Sequence, residues 1–513
     1  MRLLFAIGVM LGTGPVMADA IAPAFRGYGS SEGLPSMTTM DLSQDRNGYV
    51  WVATRDGLGR FDGREFAVYR NVPDQPESLP CNDVQTVLST RDGRIWVGCE
   101  STGLAMLDDS DDPSFTRFPP DPAGDGLRGG DVFALTETPD GALYIGTYAQ
   151  GLARLRAGDK TPVALDRLVP IDAALRTATI LDMAVDASGA LWVGTLEGLW
   201  RIDAADADTP GPARKIADLP LVNSVQAGRD GRLWIGVNGA LFRREGDGDM
   251  LEEVPLPDDA GIVDGIVDAA DGTVWVAARG GLLRLRADGG SDWIRPRAAV
   301  PQALPDPDIR DLMVDHEGGL WLSTGAHGIA YLRPDWARFQ VFRHDPLDAT
   351  SPATGRRSGL ARCPDDSLWM LVRTDSELTR VSPVGEVARW TGSHHAAVLA
   401  RRRPSGIWCD GDGVLWLPDR EGVLRFDPRH DTLAEGLHPG EPWAAGVAEA
   451  LARSRDGRLW VGALTAGLNV LSPDGRNTVW RAGEHGVDND DFEQISADPE
   501  GRIWIADATG LRH

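Results

Sequence analysis

The side chains of this chain best suited to nucleophilic, acid–base or metal chemistry are nine histidines and four cysteines. Their spacing supports none of these. His316, His327, His344, His394, His395, His430, His438, His485 and His513 are scattered over its second half. No HExxH, Walker loop, Gly-x-Ser-x-Gly or dinucleotide fingerprint accompanies them. His394 and His395 are sequence neighbours and would face opposite sides of a strand, so they make a poor metal pair. Cys81, Cys99, Cys363 and Cys409 form no CxxC and no Cys/His set at zinc spacing. An exported protein can oxidise its cysteines, and four allow three pairings, but four in 513 residues are no disulfide framework. Buried thiols are expected. The run Asp108-Asp109-Ser110-Asp111-Asp112 is acidic enough for a hard cation but lacks the glycine-bearing spacing of a calcium loop, so a solvated loop is expected. No catalytic residue, metal site or cofactor is therefore predicted.

The composition narrows the partners. Lys and Arg number 51 against 76 Asp and Glu, a formal charge of −25 that argues against nucleic acid and anionic lipid as partners. With 61 Gly and 34 Pro the backbone is punctuated for short strands and turns rather than long helices. Met1–Ala20 reads as a cleaved secretory signal: Arg2, an apolar run from Leu3 to Met17, then Ala18-Asp19-Ala20. No later stretch approaches the roughly 18 apolar residues of a membrane span, so a periplasmic location is expected.

The elements that must carry any site are written in a repeat. Asp-x-Gly or Asp-x-x-Gly, two residues, an aromatic, an apolar and a small residue, then Gly-Leu, recurs from DRNGYVWVATRDGL (45–58) through DASGALWVGTLEGL (186–199) to DPEGRIWIADATGL (498–511). Its anchors are Trp51, Trp96, Tyr144, Trp192, Trp234, Trp275, Trp321, Trp369, Trp416, Trp460 and Trp504, about 45 residues apart, which suits a four-stranded blade. Asp-Gly is hairpin-turn chemistry, and the flanking runs are short, β-branched and aromatic. Inner strands such as 131–135 read as apolar on both faces, as in sheets stacked between neighbours. Ten of the 17 tryptophans occupy the anchor position, so packing between blades is their expected role.

The repeat, and above all the opening FRGYGSSEGLPSMTTMDLSQDRNGYVWVATRDGLGRFDG (25–63), resembles the two-component regulator propeller family over residues 25–513. The resemblance implies an extracytoplasmic sensor of paired propellers, joined in a parent receptor to a histidine kinase or a GGDEF diguanylate cyclase. It allows a homodimer in that parent. The expected fold is all-β: a signal peptide at 1–20, a seven-bladed propeller over 21–335, and a partial second propeller of about four blades over 336–513. The chain stops inside a blade, so a fragment without its output domain, and without catalysis of its own, is expected. Strand order also predicts how the first ring closes. Phe25–Tyr28 has no strands of its own blade before it and should complete blade seven, while Phe339–Phe342 should belong to the second propeller.

Loops before the first strand and after the second strand of each blade share one face, where a ligand would bind. The candidate residues are Arg55, Asp83, Glu100, Tyr148, Glu197, Asn238, Arg279 and His327, with Asn223, Asp131, Asp264 and Asp308 on the same loops. Their mixed charge suits a small polar ligand or a glycan. Two other readings compete: a periplasmic enzyme of the streptogramin-lyase type, which would need a converging His/acid pair, and a scaffold or adhesion propeller.

Overall fold

A computed structural model of the chain describes residues 23–513 apart from 110–111, 247–249, 298, 339–340, 349, 354, 356, 373–376, 391–393, 420, 437–446, 465–466, 489, 491, 499 and 508–509. The signal sequence, residues 110–111 of the acidic run and half of Phe339–Phe342 lie outside the described residues. Strands make up 45% of the chain and helices 5%, so the fold is all-β. By packing, the chain divides into two units at 341/342.

The first unit holds seven four-stranded antiparallel sheets. Each runs from an inner strand A through B and C to an outer strand D, as Thr39–Gln44, Val50–Thr54, Gly57–Phe61 and Phe66–Tyr69 do in blade one. The A–B turn carries the Asp-x-Gly signal, and the anchor aromatic stands on strand B. The seventh sheet is assembled from both ends of the unit. Phe25–Tyr28 pairs antiparallel with Ile329–Leu332, with Phe25 opposite Leu332 and Tyr28 opposite Ile329. The N-terminal strand thus completes blade seven, as strand order predicts, and leaves the ring no open edge.

The seven anchors fill one structural position. Each is at most 5% exposed, and each packs into the next blade. Trp51 lies among Val84, Ile95 and Phe115 of blade two, Trp96 among Val132, Leu143 and Ile145 of blade three, and Tyr144 among Ile180, Met183 and Leu191 of blade four. Trp192, Trp234 and Trp275 continue the series. Trp321 closes it against Leu42, Val50 and Val52 of blade one. A polar tether fixes the ring where the turn begins with Asp: indole Nε1 of Trp51, Trp192 and Trp321 donates to Oδ2 of Asp45, Asp186 and Asp315 at 2.8–2.9 Å. The other oxygen of Asp45 accepts from the backbone of Asn47 and Tyr49, so one carboxylate holds both turn and wedge.

Hydrogen bonds run between blades in two tiers. At the axis, carboxylates on strand A reach the next strand A. Asp41 Oδ2 accepts from Val87 N (2.8 Å) and Thr86 Oγ1 (2.6 Å), Asp182 Oδ2 from Val225 N (2.7 Å), and Asp311 Oδ2 from Leu42 N (3.0 Å). At the opposite end, turn amides donate onward: Arg91 N to Glu137, Arg229 N to Asp268 and His316 N to Gln44. Inner strands are therefore not apolar on both faces. Residues 132–135 alternate between buried and partly exposed, because one face looks onto the axis of the ring.

The second unit contains three four-stranded sheets and one of three strands. The anchor wedge recurs there, with Trp369 packed among Leu415, Leu417 and Phe426 of the following blade. A helix, His394–Arg402, precedes a two-residue inner strand, Trp408–Cys409.

The expectation of free thiols is corrected. Cys81 and Cys99 are bonded, with Cα atoms 5.9 Å apart, and so are Cys363 and Cys409, with Cα atoms 5.3 Å apart. The first bond ties the approach of strand A to the end of strand B within blade two. The second joins the ends of neighbouring inner strands and links two blades of the second unit. Pairing follows from the repeat geometry, which places residues 18 and 46 apart at adjacent strand ends.

Trp192→Ala is expected to lower the unfolding free energy of the first unit by about 3–5 kcal/mol. Trp192→Phe, which keeps the wedge but strips the partner from Asp186, should cost about 1–3 kcal/mol. Denaturant titration of both variants, followed by circular dichroism, checks the order.

Candidate functional site

The predicted face is built by the ends of strands B. Thr54, buried, accepts from Asp56 N and donates from Oγ1 to the carbonyl of Gly57, which folds the B–C turn and leaves Arg55 exposed beyond it. Gly57 has φ +119°, and a Cβ there would lie 2.6 Å from the carbonyl oxygen of Tyr69. Thr147, Thr195 and Thr324 make the same turn-closing bond. Glu100, Tyr148, Glu197, Asn238 and Arg279 follow their strands B in the same way, each exposed, and His327 stands exposed in the B–C turn of blade seven.

Two groups form on this face. Across blades one to three, the carboxyls of Glu100 and Asp83 share a hydrogen bond, which with Asp83's charge raises the Glu100 carboxyl above its ordinary range. Asp131 adds to the effect and Arg55 opposes it. Gln85 Nε2 donates to Asp83 at 2.7 Å, and Asp131 accepts from Ser101 N at 2.7 Å. The Tyr148 ring meets Phe133 edge-on at 5.8 Å. Across blades five and six, Asp264 accepts from Asn223 Nδ2 (2.8 Å) and from Arg279 Nε (3.0 Å). Burial still holds its carboxyl above the usual value, despite these bonds.

His327 stands apart from these groups. Its Nδ1 lies 2.9 Å from Oδ2 of buried Asp306, which also accepts from Ala326 N. That pair fastens a loop to itself. Glu197 and Asn238 stand singly on blades four and five. The arrangement offers acceptors with a guanidinium on either side of the ring. Among the described residues, no group of three or more His, Cys, Asp or Glu is placed to hold a metal ion.

The residues that the loop argument missed lie deeper. Asp41, Asp182 and Asp311 all stand ten residues before their anchor tryptophan, on inner strands, each partly exposed toward the axis. Desolvation raises the Asp182 carboxyl to about 7, against the pull of its bonds to Val225 N and Met183 N, and the charge of Asp41 adds to the rise. Asp311 is raised well above the ordinary range by burial and by Asp41, to which it is hydrogen-bonded. Such a pair holds a shared proton because two adjacent buried carboxylates repel. A recurring Asp ten positions before Trp, in an otherwise apolar strand, was the available signal.

For an acid with a raised folded-state pKa, the folded state binds more protons between the unfolded value near 4 and about 7. Stability conferred by neutral Asp182 is therefore full below about pH 4 and is lost as pH rises to about 7. Asp182→Asn, which keeps an acceptor for Val225 N, should remove up to about 4 kcal/mol of that fall. Its Tm should drop less than the parent's between pH 4 and pH 8, a comparison that differential scanning calorimetry makes directly.

Residues 33–56 and 78–101 match the profile of the two component regulator propeller family. "Histidine kinase P4" of Formosa agariphila is 42% identical over 55 residues, which span 11% of this chain and 4% of that protein. The extracellular domain of a hybrid two component system from B. thetaiotaomicron aligns with a TM-score of 0.71 at 17% identity, covering 95% of this chain and 70% of that one, a likeness of fold. A streptogramin B lyase aligns at a TM-score of 0.45 and 16% identity, covering 60% of this chain and 98% of that chain, too weak a likeness to argue a shared reaction. Among the described residues no helix is long and apolar enough to cross a membrane. With the same wedge repeated around the ring, the chain is a β-propeller that carries two component regulator propeller repeats at residues 33–56 and 78–101, on its first two blades.

Proposed function

We propose that this chain is the extracytoplasmic ligand-sensing region of a bacterial signal-transduction receptor, exported by cleavage of Met1–Ala20 to the periplasm. Its output domain, a histidine kinase or a diguanylate cyclase, would lie in the parent receptor outside this chain, and the propellers themselves are non-catalytic. The reading is carried by the loop face of the first ring. A recurring frame, with the same Thr–Gly closure in four of the seven blades, presents side chains that differ from blade to blade, and those of blades one to three gather into one polar group around Glu100.

The ligand class follows from that group. Carboxyls, a carboxamide and an exposed guanidinium on the same face as the Tyr148 ring suit a small polar metabolite or a glycan, whose hydroxyls both donate and accept. Tyr148, half exposed at 51%, offers a flat apolar surface to a sugar ring.

A panel of oligosaccharides and small polar metabolites, titrated calorimetrically against the purified chain, tests this. At least one should bind, and Arg55→Ala with Glu100→Ala should weaken it by about 10-fold or more. Both residues are exposed, so stability should stay within about 0.5 kcal/mol. A panel with no binder, or a binder indifferent to both substitutions, overturns the reading.

A further inference from the structure

Five blades of the first unit fill one seat in one way. Arg60, Arg154, Arg201, Arg243 and Arg284 stand on strand C directly across from the anchor aromatic of their own blade. Each guanidinium lies over that ring, 5.2–6.0 Å from its centroid. The contact joins a cation to the negative face of an aromatic ring beside a strand-end carboxylate. In blade three, for example, Arg154 Nη2 is 3.4 Å from Asp140. Blade seven fills the seat with the Tyr331 ring, 4.5 Å from Trp321.

Blade two puts no cation there: Met106 packs against the cluster around Trp96 and Phe118. Met106 is the residue across from Trp96, and there a cavity of about 370 Å³ opens between blades two and three. Blade ten of the second unit repeats the correlation, with Val470 across from Trp460 and a cavity of about 640 Å³ over that ring. Space thus appears where the chain omits its own arginine. Around Trp96, Met106 and Phe118 the blade-two cavity carries Asp92 and Glu137, and Lys160 stands on a loop at its edge. Two more lining cations already have partners: Arg94 is paired with Asp92 and Asp108, and Arg156 with Asp208. Lys160 is one of only two lysines in the chain.

We propose that the cavity over Trp96 binds a small molecule bearing both a guanidinium and a carboxylate, the class of which free arginine is the simplest member. The guanidinium lies in the cavity against the Trp96 indole, alongside Met106, which supplies no cation of its own, with Asp92 and Glu137 beside it. The carboxylate is met by Lys160. The volume falls at the lower end of small-ligand pockets, which suits a metabolite of this size. The site lies on the flank of the ring and is independent of the loop face.

Isothermal titration of the purified chain with L-arginine tests the proposal. Arginine should bind; citrulline, the same shape without the cation, should bind about 10-fold more weakly or worse. Met106→Arg supplies the missing side chain from within and should abolish the site, with a Tm equal to or above the parent's. Lys160→Gln, on an exposed loop, should weaken arginine by about 10-fold and leave agmatine, which lacks the carboxylate, unchanged. Failure of the parent to bind arginine, equal binding of citrulline, or arginine affinity unaffected by Lys160→Gln would each overturn it. So would undiminished binding in a folded Met106→Arg chain.

Discussion

The propeller depends on one contact repeated around it: a large aromatic on the second strand of each blade, driven into the face of the next. A four-stranded sheet with two apolar faces has no stable existence alone, and stacking sheets radially buries both faces only if something fills the widening gap between twisted neighbours. The indole does this, and its one polar atom is satisfied by the aspartate that also folds the adjacent turn. Where the turn begins with Thr or Ala, as at Thr90 or Ala269, the turn aspartate sits two residues later and serves the turn. Trp96 and Trp275 are then held by packing.

Between the wedges the blades are stitched by polar side chains at both ends of the inner strands. The axial set is costly, because Asp41, Asp182 and Asp311 are drawn out of water and toward one another. Their bonds to backbone amides of the following strand offset part of that cost, and protonation removes most of the remainder. Asp311 binds across the junction between blade seven and blade one, the same junction that the N-terminal strand closes with its main chain. Ring closure therefore rests on a strand pairing, the Trp321 wedge, the Asp311 carboxyl bond and further hydrogen bonds such as His316 N to Gln44.

This architecture separates the frame from the loop face. In four blades a threonine closes the B–C turn with the same bond to a glycine carbonyl, so residues just beyond strand B change without disturbing those blades. A disulfide, Cys81–Cys99, reinforces the frame beneath Glu100, the centre of the polar group. In the second unit the anchor series continues although a helix interrupts the regular repeat, and Cys363–Cys409 covalently joins two blades there. Oxidised cysteines at such places fit an exported chain.

The sequence by itself determined the fold, the blade count of the first ring, the anchors and the exchange of Phe25–Tyr28 into blade seven. Each is set by local chemistry that repeats: Asp-Gly turns, period-two strands and an aromatic at constant phase. The loop candidates were legible as exposed positions, but not as groups. Only the tertiary structure gathered Asp83 and Glu100 beside Arg55, tied Arg279 to Asp264, and gave His327 a buried partner of its own. It alone paired the cysteines, since separations of 18 and 46 residues become neighbours only once strands are in register. It alone set Asp41 against Asp311, 270 positions apart in the chain and adjacent across the closed ring. Proximity of that kind comes from closing the circle, and no local pattern encodes it.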